Sequence, residues 1–454
     1  MTDTPLAGTS ILSFKVTVTG VSLTPSTGKA VSLTLNPTTP IVELTRLQSD
    51  SAFLGTSTVP SANYTSATIS FSSPDIVLVN QTTVALTGGT PAPCPVSPVS
   101  PVTTCEFKPA TSGTITLTTA PFPLTLTPNQ QTGLSLDFNL NNAITMTNGA
   151  VSVDFTQANV LKAVTLPRTG MPTGALDLVE DFTGVITAVS GNSVTVHSDT
   201  RGNITAVANS STTFNNLPVA CGAQNITCLL ANQTVSIDAS LNLDGTMTLL
   251  EADLLDSVAV DEVEGTVFSV NQVTQQISLV LSNKTVVSGN PVLTAAAPGN
   301  VVQVTITNAL PFTVDTKGLS AVTASLGSIP FATVSNVFPG QTVRMHVTNP
   351  TAGTGSTILV NSSSVVLRYS QVTATVSVAP TSFFFSVNAA TLPPFIAGLG
   401  VIVNVPVQIS SGQTHFDGVA DITGLSVGDT VSIRALFVPN FFASPFFAAK
   451  VRKH

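Results

Sequence analysis

The residues best placed to do chemistry in this chain are few, and they fall in two places. His415 and Asp417 in the stretch THFDG stand two residues apart. On a strand that spacing puts them on one face roughly 7 Å apart, the start of a catalytic dyad or a metal site. No G-x-S-x-G elbow, no H-E-x-x-H and no third ligand accompanies them, so two solvated strand positions are the competing account. His197 in VTVHSD and His346 in VRMHV are expected on the solvent faces of their strands. The second place is acidic. Glu251, Asp253, Asp256, Asp261, Glu262 and Glu264 crowd into fourteen positions, with no Lys or Arg from Gly202 to Asn283. Hard oxygen ligands at that density could bind calcium at a junction between modules. The plainer account is a solvated connection whose charges keep strand edges from pairing wrongly. No EF-hand spacing is present, and beyond this calcium candidate no cofactor is expected.

The elements available to position such groups are β-strands. Of 454 residues only 8% are charged, against roughly 25% in an ordinary soluble domain, while Thr and Ser together make up 115. β-branched residues suit a pleated strand and cost helix stability. An all-β chain is therefore expected, with neutral hydroxyls solvating its surface. Alternation is legible in LSFKVTVTGVSL, where Leu12, Phe14, Val16 and Val18 share a face and the parity flips at Gly20, so that Val21 and Leu23 continue it. A glycine at such a flip reads as a bulge. A length of 454 residues calls for several cores. An amino-terminal β-sandwich is expected over 9–166, punctuated at LPRTGMPTG. Tandem small β modules follow over 175–260, 261–371 and 372–454, with 261–371 either one enlarged module or two small ones. The repeat rests on FTGVITAV from Phe182, VEGTVFSV from Val263 and the looser VTATVSVA from Val372 as openings. The phrases ANQTVSIDA, PGNVVQVTI, PGQTVRMHV and VGDTVSIRA read as a repeated strand with its preceding turn.

The four cysteines form two close pairs, Cys94 with Cys105 and Cys221 with Cys228, in turn-rich stretches without a nearby His. Local disulfides and an oxidising compartment follow. The amino terminus has neither a basic nor an apolar leader region, so a mature or trimmed exported chain is expected. No apolar stretch reaches the roughly 18 residues of a spanning helix. A net charge of −8 and scattered basic residues disfavour nucleic acid. The tail Lys450, Arg452 and Lys453 is expected to be exposed.

Two resemblances go with these motifs. The stretch from Ile11 to Leu166, with LSFKVTVTGVSLTP and LSLDFNLNNAI, resembles a domain of unknown function found near the lipid-anchored amino terminus of many bacterial lipoproteins. That resemblance implies a transthyretin-like sandwich; no lipobox cysteine is visible here, so no lipid anchor is carried over. The later modules resemble a second family of small exported β-barrels with a G-x-V opening and a G-x-x-V closing strand. Neither family supplies catalytic residues.

With no Trp and two Tyr, carbohydrate stacking is disfavoured. Consecutive aromatics at Phe383, Phe384 and Phe385, and at Phe441, Phe442, Phe446 and Phe447, cannot all face one side of a strand. They must be exposed, sit between modules or meet another chain. The sequence thus leads to a non-enzymatic, exported or cell-surface structural protein: a β-rod or fibre subunit that self-associates through strand edges and these Phe segments. The alternative is an adhesin-like module binding a polymer or an envelope protein.

Overall fold

The computed structural model describes residues 9–36, 38–48, 50–97, 102–109, 113–129, 131–147, 149–166, 175–222, 224–307, 310–317, 319, 330–400, 402–439 and 444–454. Of the described residues 54% are strand and 7% helix, the all-β class that the Val and Thr content implies.

The amino-terminal unit is built on two long strands, Thr9–Pro25 and Ala62–Asn80, paired antiparallel from Thr9↔Asn80 to Pro25↔Tyr64. A register shift falls between Val18 and Gly20, and Phe14, Val16, Val18, Val21 and Leu23 are all buried, so the glycine bulge does restore the inward face. Shorter strands complete a seven-stranded sheet, with the two-stranded sheets Gly133–Phe138/Leu161–Leu166 and Ile144–Thr147/Ala150–Val153 sharing its core. Phe71 packs between Phe155 and Phe138, with ring centroids 4.9 and 5.4 Å away. Cys94 is bonded to Cys105, whose strand Thr104–Phe107 pairs with Ile76–Val79. The second expected disulfide, Cys221–Cys228, joins two short 3-10 turns on the next unit. Without reductant, alkylation followed by mass spectrometry is therefore expected to label none of the four cysteines, and to label all four after reduction.

Beyond residue 174 the chain repeats one barrel three times. The first barrel runs through Ala175–Ser190, Ser193–Ser198, Gly202–Asn215, Thr234–Asn242 and Met247–Asp256 and closes in the order 1-2-3-5-4. Its third and fifth strands are parallel, and the remaining neighbours are antiparallel. Glu262–Asn271, Gln276–Thr285, Val301–Ile306, Thr342–Ala352 and Ile358–Ser362 close a second barrel with the same order and directions. Val365–Val378, Phe384–Asn388, Asn404–Ile409, Thr430–Phe437 and Phe446–Lys453 close a third. This five-stranded Greek-key connectivity is that of an OB-type barrel.

The repeated phrases take their places accordingly. ANQTVSIDA, PGQTVRMHV and VGDTVSIRA are fourth strands, and each opening motif is a first strand; the equivalent pairs Gly184↔Val235, Gly265↔Val343 and Ala374↔Val431 face each other across the ladder. PGNVVQVTI is instead the third strand of the second barrel, so residues 262–362 close one barrel. A Cβ on Gly184 would collide with the His197 carbonyl, and one on Gly265 with the Val280 carbonyl. These glycines let the first strand coil tightly against the second. Gly265→Ala is expected to cost about 1–3 kcal/mol by overpacking, read as a lower urea midpoint with unchanged slope.

The four units do not lie in a line, which corrects the rod expected from tandem modules. The strand Val365–Val378 pairs through Val366–Arg368 with the second barrel and through Tyr369–Thr375 with the third, making one continuous sheet. The short 3-10 helix Leu44–Gln48 of the amino-terminal unit reaches the third barrel, where Thr373 Oγ1 donates to Gln48 Oε1 at 2.9 Å. Leu12, Val77 and Val79 form a small core with Phe268 and Val280 of the second barrel. A row of units touching only sequence neighbours would not bring the amino-terminal unit to the second and third barrels.

The aromatic segments are explained by the same closure. Phe446, Ala448 and Val451 belong to the core of the third barrel, while Phe447 and Ala449 on the same strand belong to that of the second. Phe446 stacks on Phe437 with centroids 4.8 Å apart. Phe385, Phe446 and Phe447 are thus buried inside this chain and are withdrawn as contacts with another; Phe384 is half-buried and Phe383 is exposed. Phe441 and Phe442 lie outside the described residues. Among the described residues no helix is long and apolar enough to cross a membrane.

Candidate functional site

Scarce charge makes the position of each charge informative. Lys317, Arg344, Arg368, Arg434, Lys450 and Arg452 are at most 6% exposed. The tail expected in solvent is therefore mostly interior: Lys450 and Arg452 are buried and Lys453 is half-buried. The outward faces of the barrel strands do carry polar residues, but those faces meet other units instead of water.

The centre of this arrangement is Asp181. It sits at a register shift between Val179 and Phe182 with φ of 45°, so the first strand of the first barrel bulges there. Such a bulge re-aims a side chain. Asp181 Oδ2 accepts from Arg434 Nε and Nη2 at 2.8 and 2.6 Å, a two-pronged clamp. Its Oδ1 accepts from Arg368 Nη2 at 3.3 Å and lies 3.7 Å from Lys317 Nζ. Burial alone would raise the Asp181 pKa, but Arg434, Arg368 and Lys317 together outweigh it and hold the carboxyl well below the usual range.

Each cation has further partners. Lys317 Nζ lies 3.0 Å from Asp238 Oδ1 and 3.2 Å from Asp253 Oδ2. Arg368 also meets Asp315 and, at 3.5 Å, Glu264. Arg434 stacks on the Tyr369 ring, 4.9 Å from its centroid, and lies 3.6 Å from Glu180. Lys450 pairs with Glu180 at 2.8 Å. Arg201 of the first barrel holds Asp50 of the amino-terminal unit at 2.8 Å. Burial pushes the Glu251 carboxyl up to about 7, against the pull of Lys317.

A division of labour runs through these contacts. The first barrel supplies Glu180, Asp181, Asp238, Glu251 and Asp253, and the second and third supply Lys317, Arg368, Arg434 and Lys450. The sequence carries a signal for this. In TVSID, TVRMH and TVSIR the aligned outward positions are Ser236, Arg344 and Ser432, then Asp238, His346 and Arg434. All but Ser432 take part in the ionic contacts or donate to them. Alternation alone marks that face as outward and would leave it to solvent.

The six acidic residues read as one calcium candidate are dispersed over separate partners. Glu251 and Asp253 face Lys317, Glu264 faces Arg368, and Asp261 accepts from Val287 N and Ser288 N at 2.7 and 2.8 Å, holding a turn. Asp256 and Glu262 both meet the Arg344 guanidinium. His346 Nε2 lies 3.0 Å from Asp256 Oδ1 and 3.9 Å from Glu262 Oε2, so these three side chains bring their ligand atoms within 4.8 Å of one another. The space between the two carboxylates is filled by Arg344, which already supplies the positive charge that a bound cation would bring.

His415 and Asp417 do not make a dyad. Their strand His415–Asp417 pairs with Lys450–Arg452; Asp417 is buried and takes Arg452 Nε at 2.6 Å, whereas His415 is exposed.

Residues 1–154 match DUF4382, a domain of unknown function. The match covers most of the amino-terminal unit and none of the three barrels. It agrees with the resemblance carried by LSFKVTVTGVSLTP and brings no catalytic residues. No curated protein matches the chain.

Proposed function

We propose that this chain is a non-enzymatic exported structural protein, a β scaffold whose four units are clamped into one block that stands outside the cell. The observation that supports this reading most is the buried ion network. The charges that a working site would aim at a ligand are here paired across unit boundaries, Asp181 with Arg368 and Arg434 and Glu180 with Lys450. Breaking one such pair leaves an uncompensated buried charge, so the network favours one arrangement of the units over any other. Two disulfides fit an oxidising, non-cytoplasmic compartment. A surface of hydroxyls and little net repulsion suits a component that packs densely beside other copies. Phe383 and Val403 are exposed apolar side chains available to such a contact.

The test is treatment of intact producing cells with a membrane-impermeant protease, with electron microscopy of the released native chain. The expected outcome is a protease-accessible, fully oxidised chain seen as compact particles or ordered assemblies of them. A chain confined to the reducing interior, or a hydrolytic activity abolished by His415→Ala, would overturn the proposal.

A further inference from the structure

Protein interiors pack like organic crystals, with few voids larger than a water molecule. The amino-terminal sandwich departs from this. A hollow of about 860 Å³ opens between its layers and runs to the flank of the first barrel. At about 30 Å³ for each water in the liquid, that is room for nearly thirty waters. It also lies within the range of roughly 300–1,000 Å³ typical of small-molecule sites.

The walls are apolar and come from facing elements. Leu33, Leu35, Leu124, Leu126, Leu134 and Leu136 line the hollow and are only half-buried, so the space they face is the hollow itself. Leu176 and Leu241 of the first barrel close its side. Water against so many leucines is costly, whereas an apolar occupant would recover about 25 cal/mol for each Å² it covers. The rim is different in kind, with exposed Thr34, Ser57 and Thr132 giving a polar entrance. Part of that rim is held by close approach of two loops: a Cβ on Gly245, whose φ is +83°, would come within 2.6 Å of Thr56 Cγ2.

The cation among the described lining residues is already engaged. Arg452 lines the hollow and is 3% exposed. Its Nε holds Asp417, and its Nη1 donates to the carbonyls of Leu47, Gln48 and Asp50 at 3.1, 3.5 and 3.3 Å. Its Nη2 is buried and has no hydrogen-bond partner among the described residues. That nitrogen is out of reach from the hollow, so the polar end of an occupant belongs at the hydroxyl rim. Arg452 is paired with Asp417 and Asp50 with Arg201, and the rim hydroxyls are neutral, so an uncharged occupant fits.

We propose that this hollow binds a small uncharged amphiphile. The apolar body of such a molecule, of the ester, ketone or alcohol class, lies against the leucines, and its oxygen meets the hydroxyls of Thr34, Ser57 and Thr132 at the rim. The site goes beyond the scaffold role and does not depend on it, since it stands on the amino-terminal unit and its contact with the first barrel.

Nile red, a neutral dye with a carbonyl acceptor, tests the site in the full oxidised chain. Saturable binding of one dye per chain, with blue-shifted emission, is expected. Leu134→Trp places the bulkiest side chain into the hollow and is expected to weaken binding about tenfold or more while the melting temperature stays close to that of the parent. Because the chain has no Trp of its own, that residue also reports the site directly, its emission being quenched by any dye that still binds. Equal affinity in the parent and a folded Leu134→Trp variant would overturn the proposal. If that variant does not fold, native mass spectrometry of the parent decides: one dye adduct per chain supports the site, and none overturns it.

Discussion

Replacing Asp181 with alanine is expected to lower the unfolding free energy by about 3–5 kcal/mol, because it strands buried cations instead of removing a surface pair. Arg434 would lose its two-pronged acceptor, Arg368 a 3.3 Å partner and Lys317 one of its three carboxylates. The three cations come from the second and third barrels, so the loss falls on the joints between units and leaves the barrel cores alone. Urea unfolding of Asp181→Ala is therefore expected to begin at a lower concentration and to separate into more than one transition. Lys29→Ala, on an exposed turn, serves as the control and should stay within about 0.5 kcal/mol of the parent. Because the folded Asp181 pKa lies below its ordinary value, the stability it contributes is present above about pH 4 and is lost as pH falls further. The parent is accordingly expected to weaken in acid more steeply than Asp181→Ala.

Lys317→Met is expected to cost about 3 kcal/mol near neutral pH, with the opposite pH dependence. Lys317 faces Asp238 and Asp253 at 3.0 and 3.2 Å, and its own pKa is raised: burial lowers it, but the carboxylates more than compensate. Burial already raises the Asp253 and Glu251 carboxyls, Glu251 up to about 7. A carboxyl that binds its proton more tightly in the folded chain adds stability below its ordinary pKa and loses it as pH rises through the folded value. Removing the ammonium pushes both carboxyls higher still, so the penalty grows with pH. Urea midpoints of Lys317→Met should thus lie nearer the parent at about pH 5 than at about pH 8. A constant difference across that range would mean that the lysine acts through packing alone.

Much of the fold could be read from the sequence because strand parity is local. The flip at Gly20, the alternation through Val16 and Val18, and the two disulfides within short loops all follow from neighbouring residues. The recurrence of FTGV, VEGT and VTAT marked three first strands, since barrel closure demands a small residue at Gly184, Gly265 and Ala374. PGNVVQVTI looked like another fourth strand because a turn followed by alternating valines is the same local pattern on any strand. The site was less legible for a related reason. Parity says that Arg344 and Arg434 leave the barrel, but not whether water or a neighbouring unit receives them. Asp181 carried no motif, because its role comes from a bulge within an otherwise regular strand. The doubled phenylalanines at 446 and 447 were puzzling only while a strand was given one core; this strand has two.

The central claim is that buried ion pairs make four β units into one block, and calorimetry of the parent beside Asp181→Ala tests it most directly. The account predicts a single endotherm for the parent, with calorimetric and van't Hoff enthalpies that agree, and a split endotherm at lower temperature for the variant. Separate transitions already present in the parent, unmoved by Asp181→Ala, would contradict it.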